Sequence, residues 1–307
     1  MKRIFLIIIC LLWIASGTMA CDICGCGAGS NYLGILPDFN AKIVGLRFRN
    51  SGIRTHVGAD GQNTYLTSIE HYNTFELWGG WNIGKHFRLM ATLPLNYDTK
   101  SSSEGDVSKT GLGDATVQGF YHLLNKRGMA FKNKMLVQDI WIGGGVKLPT
   151  GKYNPLDDET TIENANLFQL GTNSFDFVIT GMYDIRLQDI GMNISASYKM
   201  NTTNKYGYNY GNKVSTNAQL YYKFRIKEAL TISPNAGLSY ENAATDLNDG
   251  NAVFTSGGYA LFATAGLEAK YKNIAIGGNW QPSVSQDLAA GIVQARNKMM
   301  LHVAVTF

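Results

Sequence analysis

Apolar and polar residues alternate with a period of two along most of this chain, from about residue 42 to its last residue. Successive side chains of a β-strand point to opposite faces, so this period predicts strands with one apolar and one polar face. In one such segment the apolar face carries Phe87, Leu89, Ala91, Leu93, Leu95 and Tyr97. The sequence therefore predicts an all-β fold.

About twelve segments of this kind follow one another, each close to the roughly ten residues that a tilted strand needs to cross a membrane. They centre on 42–50, 72–81, 86–97, 113–124, 135–147, 173–185, 190–200, 213–225, 229–241, 258–271, 274–282 and 298–307. Short connections alternate with long polar ones such as 51–71 and 98–112, and 125–134 reads as an irregular turn. We expect a closed antiparallel transmembrane β-barrel of about twelve strands, with long outer loops and short periplasmic turns.

Closure of the sheet has a physical reason. In lipid every backbone N–H and C=O must be paired within the protein, so a sheet can span only if it has no free edge. A secreted, soluble β-sandwich is the main competitor. It would not need apolar stripes that begin and end on interfacial residues, as the stripe from Tyr259 to Tyr271 does. The membrane barrel is therefore favoured.

The first twenty residues have the order of a secretory signal peptide. Lys2 and Arg3 precede an apolar core, and small residues lead to Ala20. We expect a signal peptide over 1–20, a periplasmic N-terminal arm over 21–41 and the barrel over 42–307. This order predicts export to the outer membrane of a Gram-negative bacterium.

Three cysteines follow the predicted cleavage site, as Cys21, Cys24 and Cys26. Thiolates at this spacing can bind one soft metal ion, copper or zinc, with a coordination position left open. A disulfide between two of them in the oxidising periplasm is a second reading, and lipidation of Cys21 is a third. The sequence leaves the three readings open, and it predicts no cofactor other than such a metal.

The chain ends on an alternating strand whose last residue is Phe307. A terminal Phe on such a strand resembles the signal that the barrel assembly machinery recognises. Together with the apolar faces, it predicts that machinery and outer-membrane lipid as partners.

The alternation also places ionisable residues on the inward face of the barrel. They are Arg47, Arg49, Glu76, Arg88, Lys147, Asp176, Lys199, Lys223, Arg225, Glu241, Glu268 and Lys270. Charges are costly on a lipid face and tolerated in a lumen. If they line an open pore, their basic excess favours anions weakly; if they pair across a filled lumen, they do not. The inward aromatic residues, which suit a constriction or an apolar solute, are Trp78, Phe120, Trp141, Tyr221 and Phe262.

Composition excludes several function classes. The formal net charge of +4 is too small and too scattered for nucleic-acid binding. The glycine run ending at Gly151 has the wrong spacing for a phosphate-binding loop, because Tyr153 stands where a Ser or Thr is needed. No nucleophile elbow of the form Gly-x-Ser-x-Gly is found, so no catalytic residues are predicted and the protein is not expected to be an enzyme.

Three ordered motifs carry a resemblance to a known family. They are Gly111-Leu112-Gly113-Asp114-Ala115, Gly145-Val146-Lys147-Leu148-Pro149-Thr150-Gly151 and Leu170-Gly171-Thr172-Asn173-Ser174-Phe175-Asp176. This set resembles the family of outer-membrane transporters named after the MetA pathway of phenol degradation, with Asn173 where a Gly is expected. The Cys-x-x-Cys-x-Cys arm resembles that of Bacteroidetes-type barrel proteins. The resemblance implies transport and carries over no binding residues.

The sequence thus predicts an outer-membrane channel or transporter for a small solute or ion. One alternative is a barrel that binds or helps export copper or zinc through the cysteine cluster. Another is a structural or adhesion barrel that acts through its loops.

Overall fold

A computed structural model describes residues 41–58, 60–103, 105–130, 133–155, 166, 168–226 and 229–307. The predicted signal peptide, almost all of the predicted arm and the three cysteines lie outside these residues. No helix in the described ranges is long and apolar enough to cross a membrane.

Twelve antiparallel strands form the barrel wall, three of them in two pieces. In chain order they are β1 (Ile43–Val57), β2 (Asn63–Ile83), β3 (Phe87–Ser102), β4 (Gly105–Leu112 and Thr116–Ala130), β5 (Lys134–Lys147), β6 (Asp176–Leu187), β7 (Ile190–Met200), β8 (Lys213–Tyr222 and Phe224–Ile226), β9 (Leu230–Ala243), β10 (Gly258–Tyr271), β11 (Ile274–Gln281 and Ser283–Leu288) and β12 (Lys298–Thr306). Short strands outside this ring are Tyr208–Asn209, Leu247–Asn248, Asn251–Ala252 and Gln294–Ala295, and the one short 3-10 helix found in the described ranges is Ala289–Gly291.

The first and last strands close the ring. β1 pairs with β12 in an unbroken register from Ile43 opposite Thr306 to Asn50 opposite Met299. Each other strand pairs with the strands before and after it in the chain. The predicted closed antiparallel barrel of twelve strands is confirmed.

The two faces of the wall differ as the alternation predicted. On β12, Leu301 and Val303 are exposed on the outer face, whereas Met300, His302 and Ala304 are buried inside. Outward aromatic residues cluster near the short turns, as in the Trp81–Phe307 pair, whose ring centroids are 5.7 Å apart. An apolar outer face with aromatic residues at its borders is what a lipid-facing wall requires.

Three predicted connections are strand instead. β1 and β2 extend over most of 51–71, β3 and β4 fill most of 98–112, and β4 continues through 125–130. These polar segments pair as hairpins, which satisfies their backbone groups without an apolar face. Alternation could not reveal them, because these segments carry polar residues on both faces.

Candidate functional site

The inner wall of the barrel collects nearly all of the predicted site residues. Eight of the predicted charged residues are at most 8% exposed: Arg47, Glu76, Arg88, Lys147, Asp176, Lys199, Glu241 and Glu268. The side chain of Arg49 is 22% exposed. Lys223 and Lys270 are half-buried.

Arg225 departs from the prediction. Its side chain is 58% exposed and lies 3.0 Å from Asp189 in the short turn that follows β6. The first piece of β8 ends at Tyr222, so Arg225 stands at the short-turn rim, where either face is in solvent. Arg225 is therefore not a buried lumen residue.

An apolar belt lines one arc of the inner wall. We define it as Ile43, Trp78, Met90, Phe120, Trp141 and Ala304, which form one buried cluster. These residues come from β12 and from β1 to β5, so the belt covers half of the ring. His122 stacks on Trp141 with ring centroids 3.8 Å apart, and its Nε2 lies 2.9 Å from Asp139 Oδ1. The other two predicted aromatic residues, Tyr221 and Phe262, are buried on the remaining arc.

Three of the buried charges meet on β1 and β2. Glu76 accepts hydrogen bonds from Arg47 Nε and Arg49 Nη2 through its two carboxylate oxygens. The guanidinium of Arg47 also lies 5.9 Å from the ring centroid of Trp78. The three charged side chains therefore pair with one another inside the barrel, and the group keeps one net positive charge.

A second group, which we call the loop-end node, consists of Asp114, Lys147, Thr172 and Asp176. Lys147 Nζ lies 2.7 Å from a carboxylate oxygen of Asp114 and 2.7 Å from one of Asp176. Thr172 donates from its backbone N–H to Asp114 Oδ2 over 2.9 Å and also contacts Lys147. Its charged residues are almost wholly buried, and each of them lies within ion-pair distance of a residue of opposite charge.

The loop-end node joins all three sequence motifs. Gly151 donates its backbone N–H to Asp114 Oδ1 at 2.9 Å. A Cβ on Gly171 would lie 2.6 Å from Asp114 Oδ1 and 2.8 Å from the Cα of Gly151, so neither glycine has room for a side chain. Thr150 Oγ1 donates to the carbonyl of Gly113 at 2.8 Å. The motifs therefore fix both ends of the long connection between β5 and β6.

Part of that connection folds inward across the long-loop end of the barrel. Phe168 is 2% exposed and packs against Ile53 and Tyr72, which face the lumen from β1 and β2. Lys109 Nζ donates to the Phe168 carbonyl at 2.8 Å. Asn96 Nδ2 donates to the Leu170 carbonyl at 3.2 Å. The described part of this loop therefore narrows the mouth from within.

The neighbouring long connections pack on this loop. Tyr210 donates its hydroxyl hydrogen to the Asn166 carbonyl at 2.7 Å, and Tyr208 donates to Asp246 Oδ2. Asp246 also accepts from the Gly211 N–H at 2.7 Å. Three loops thus form one hydrogen-bonded cap over this side of the mouth.

Two more charged groups lie on the other arc. Glu241 contacts Lys298 Nζ at 2.7 Å and Lys213 Nζ at 3.3 Å. Glu268 lies 3.0 Å from His302 Nε2. Within the described chain, the charges that the sequence assigned to the lumen are therefore largely engaged with one another or with backbone groups, which favours the paired reading over an open charged pore.

Between these charges lies a patch that we call the amide recess, formed by Asn217, Gln219, Asn235, Thr264 and Asn279. Each of them is at most 7% exposed. Both side-chain polar atoms of Asn217, Gln219 and Asn235 find no hydrogen-bond partner in the described structure, and neither do Thr264 Oγ1 and Asn279 Nδ2. The recess is uncharged and lies on β8 to β11.

Sequence reasoning missed several of these residues. Asp114 was noted only as part of a motif, and Lys213 and Lys298 stand at strand ends. The alternation along β8 and β12 could have found the two lysines, because every second residue of each strand faces inward and each lysine occupies one of these positions. The uncharged amides were on predicted inward positions but carried no chemical signal of their own.

Metal ligands do not gather in the described wall. No group of three or more His, Cys, Asp and Glu residues that could hold a metal ion occurs among the described residues. Cys21, Cys24 and Cys26 lie outside them, so the three readings of the cysteine cluster stay predictions.

Comparison with known proteins supports the barrel. A family model described as "Putative MetA-pathway of phenol degradation" matches residues 46–292. An outer membrane channel from Pseudomonas putida F1 has a similar structure, with a TM-score of 0.55 at 15% identity over 89% of this chain and 97% of that one. The beta domain of a Bordetella autotransporter gives a TM-score of 0.49 at 11% identity, over 87% of this chain and 100% of that one. No curated protein matches this sequence. At 15% identity, the likeness to the Pseudomonas putida channel shows the fold alone.

Proposed function

Because this chain belongs to the family described as "Putative MetA-pathway of phenol degradation", we propose that it is a channel in the outer membrane of a Gram-negative bacterium. It lets a small, neutral solute pass down its concentration gradient. The long loops face outward and the short turns face the periplasm, as is usual for such barrels. The barrel assembly machinery recognises Phe307 during insertion into the membrane.

The observation that carries this proposal is the chemistry of the inner wall. Most charged residues of the lumen are engaged in pairs and triads, and beside them lie an apolar belt and an uncharged amide patch. A wall of this kind offers a charged solute little to replace its hydration, but it can contact a neutral one. Selection by lumen width and polarity needs no covalent chemistry.

Solute flux into vesicles tests the proposal. We expect proteoliposomes that contain the refolded full chain to swell in isotonic arabinose or glucose, and to swell more slowly in larger sugars. Protein-free vesicles should not swell.

A matched pair of variants shows whether the solute uses the lumen. Ser239 is buried inside on β9, and the adjacent Leu238 is exposed on the lipid face. Ser239→Trp should slow swelling several-fold, and Leu238→Trp should leave it unchanged. Equal swelling by both folded variants, or none by the wild type, would contradict passage through the lumen.

A further inference from the structure

We propose that the amide recess is the solute-recognition site of the barrel, and that it binds the hydroxyl groups of a neutral, ring-shaped solute. This inference rests on the proposed channel function and names the chemistry that the channel selects. Its basis is that the neighbouring charged groups form ion pairs, whereas neither side-chain polar atom of Asn217, Gln219 or Asn235 has a hydrogen-bond partner in the described structure.

The recess is a continuous patch across four neighbouring strands. Gln219 on β8 stands opposite Gly237 on β9, and Gly237 stands opposite Thr264 on β10. One row further, Asn235 stands opposite Gly266, which in turn stands opposite Asn279 on β11. The glycines offer no side chain that could hydrogen-bond the amides, and the Asn235 amide lies over Gly266, where a Cβ would be 2.6 Å from Oδ1.

The polar atoms of the recess need partners. Burying an amide donor or acceptor without a hydrogen bond is costly, and in native proteins such groups are nearly always paired with protein, water or ligand. Here eight polar atoms share one patch without a partner in the described chain. Amides supply donors and acceptors together, so they suit hydroxyl groups, which also do both.

The apolar belt suits the rest of such a solute. The belt lies on β12 and on β1 to β5, and the recess lies on β8 to β11, so the two occupy different arcs of the same inner wall. A ring whose face packs on the aromatic residues of the belt would present its edge to the amides.

Two kinds of solute share this chemistry, namely phenolic rings and saturated sugar rings. Catechol represents the first and glucose the second, while toluene offers a ring without a hydroxyl group. Each is added to the refolded full chain in a planar bilayer, and block of the ion current is measured. The same solutes are titrated into the detergent-refolded protein by calorimetry, which reads binding even where no current flows.

Four proteins are compared: the wild type, Gln219→Leu, Asn235→Leu and the control Gln118→Leu. Gln118 is buried on the inner face of β4, outside the recess, and its replacement makes the same chemical change. The folded state of each variant is checked by its heat-dependent gel mobility.

We expect catechol or glucose to bind and block the wild type and Gln118→Leu. Binding should be about fivefold or more weaker in the two recess variants, as the loss of one or two hydrogen bonds implies. Toluene should act equally on all four proteins. Binding of catechol would identify the solute class as phenolic rings, and binding of glucose would identify it as sugar rings.

Two results would overturn the proposal: equal binding of the hydroxylated rings by all four proteins, or binding of neither ring by the wild type. The second result would mean that the amides hold water only. Absence of liposome swelling with calorimetric binding retained would instead contradict the proposed channel function and leave the recess as a binding site.

Discussion

The loop-end node and the amide recess are both buried and polar, yet they differ in what their side chains contact. In the node, Lys147 lies 2.7 Å from both Asp114 and Asp176. In the recess, the amides of Gln219 and Asn235 contact no polar partner in the described residues. A satisfied buried network fixes a structure, whereas unsatisfied groups are free to bind what enters the lumen. The difference separates the part of the wall that holds the barrel together from the part that meets the solute.

Breaking the node should have the largest effect on stability. Lys147→Met leaves two buried carboxylates without their cation, which we expect to lower the free energy of unfolding by about 3–5 kcal/mol. Urea unfolding of the protein in lipid vesicles, followed by tryptophan fluorescence, measures the loss. Arg225→Met removes one partner of an exposed ion pair and should cost less than about 1 kcal/mol. Equal losses in both variants would mean that the node does not hold the fold.

Crowding the node should have a smaller effect. Gly171→Ala places a methyl group 2.6 Å from Asp114 Oδ1 and 2.8 Å from Gly151. We expect a loss of about 1–3 kcal/mol and faster proteolysis of the loop between β5 and β6. The control is Gly119→Ala, because nothing lies within 4 Å of a Cβ at that position. If the loop of Gly171→Ala resists protease as the wild type does, the motif glycines are not what fixes it.

Replacing a recess amide should change stability least. Gln219 is wholly buried with both amide atoms unpartnered, so Gln219→Leu removes a cost rather than a contact. We expect the free energy of unfolding to change by less than about 1 kcal/mol, in either direction. A loss as large as that of Lys147→Met would show that the recess is structural, and it would remove the contrast between the two regions.

How far the sequence could predict this molecule depends on what alternation encodes. A period of two fixes which face a residue occupies, and it placed Trp78, Glu76 and Lys147 on the inner wall. It does not fix which strands come together across the barrel. Glu241 on β9 meets Lys298 on β12, three strands away, and no local pattern encodes that distance.

The motifs show the same limit. Gly113-Asp114, Thr150-Gly151 and Gly171-Thr172 are recognisable in the sequence, but their meeting in one node depends on the pairing of β4, β5 and β6. The strand segments within 51–71 and 98–112 carry polar residues on both faces, and such a pattern does not distinguish a hairpin from a loop. The alternation predicts Arg225 on the lumen face, but it does not show where a strand leaves the bilayer, and Arg225 lies beyond that point.

The proposed function depends on the lumen charges being largely engaged with one another, so that the wall suits neutral solutes. The groups around Glu76 and Glu241 each keep one net positive charge, and the group around Lys147 keeps one net negative charge, so most of the charge in these three groups is paired. The reversal potential of the refolded channel in a planar bilayer under a potassium chloride gradient tests this directly. A value close to zero is the predicted result, and a value close to the limit for a pure anion or pure cation channel would contradict the account.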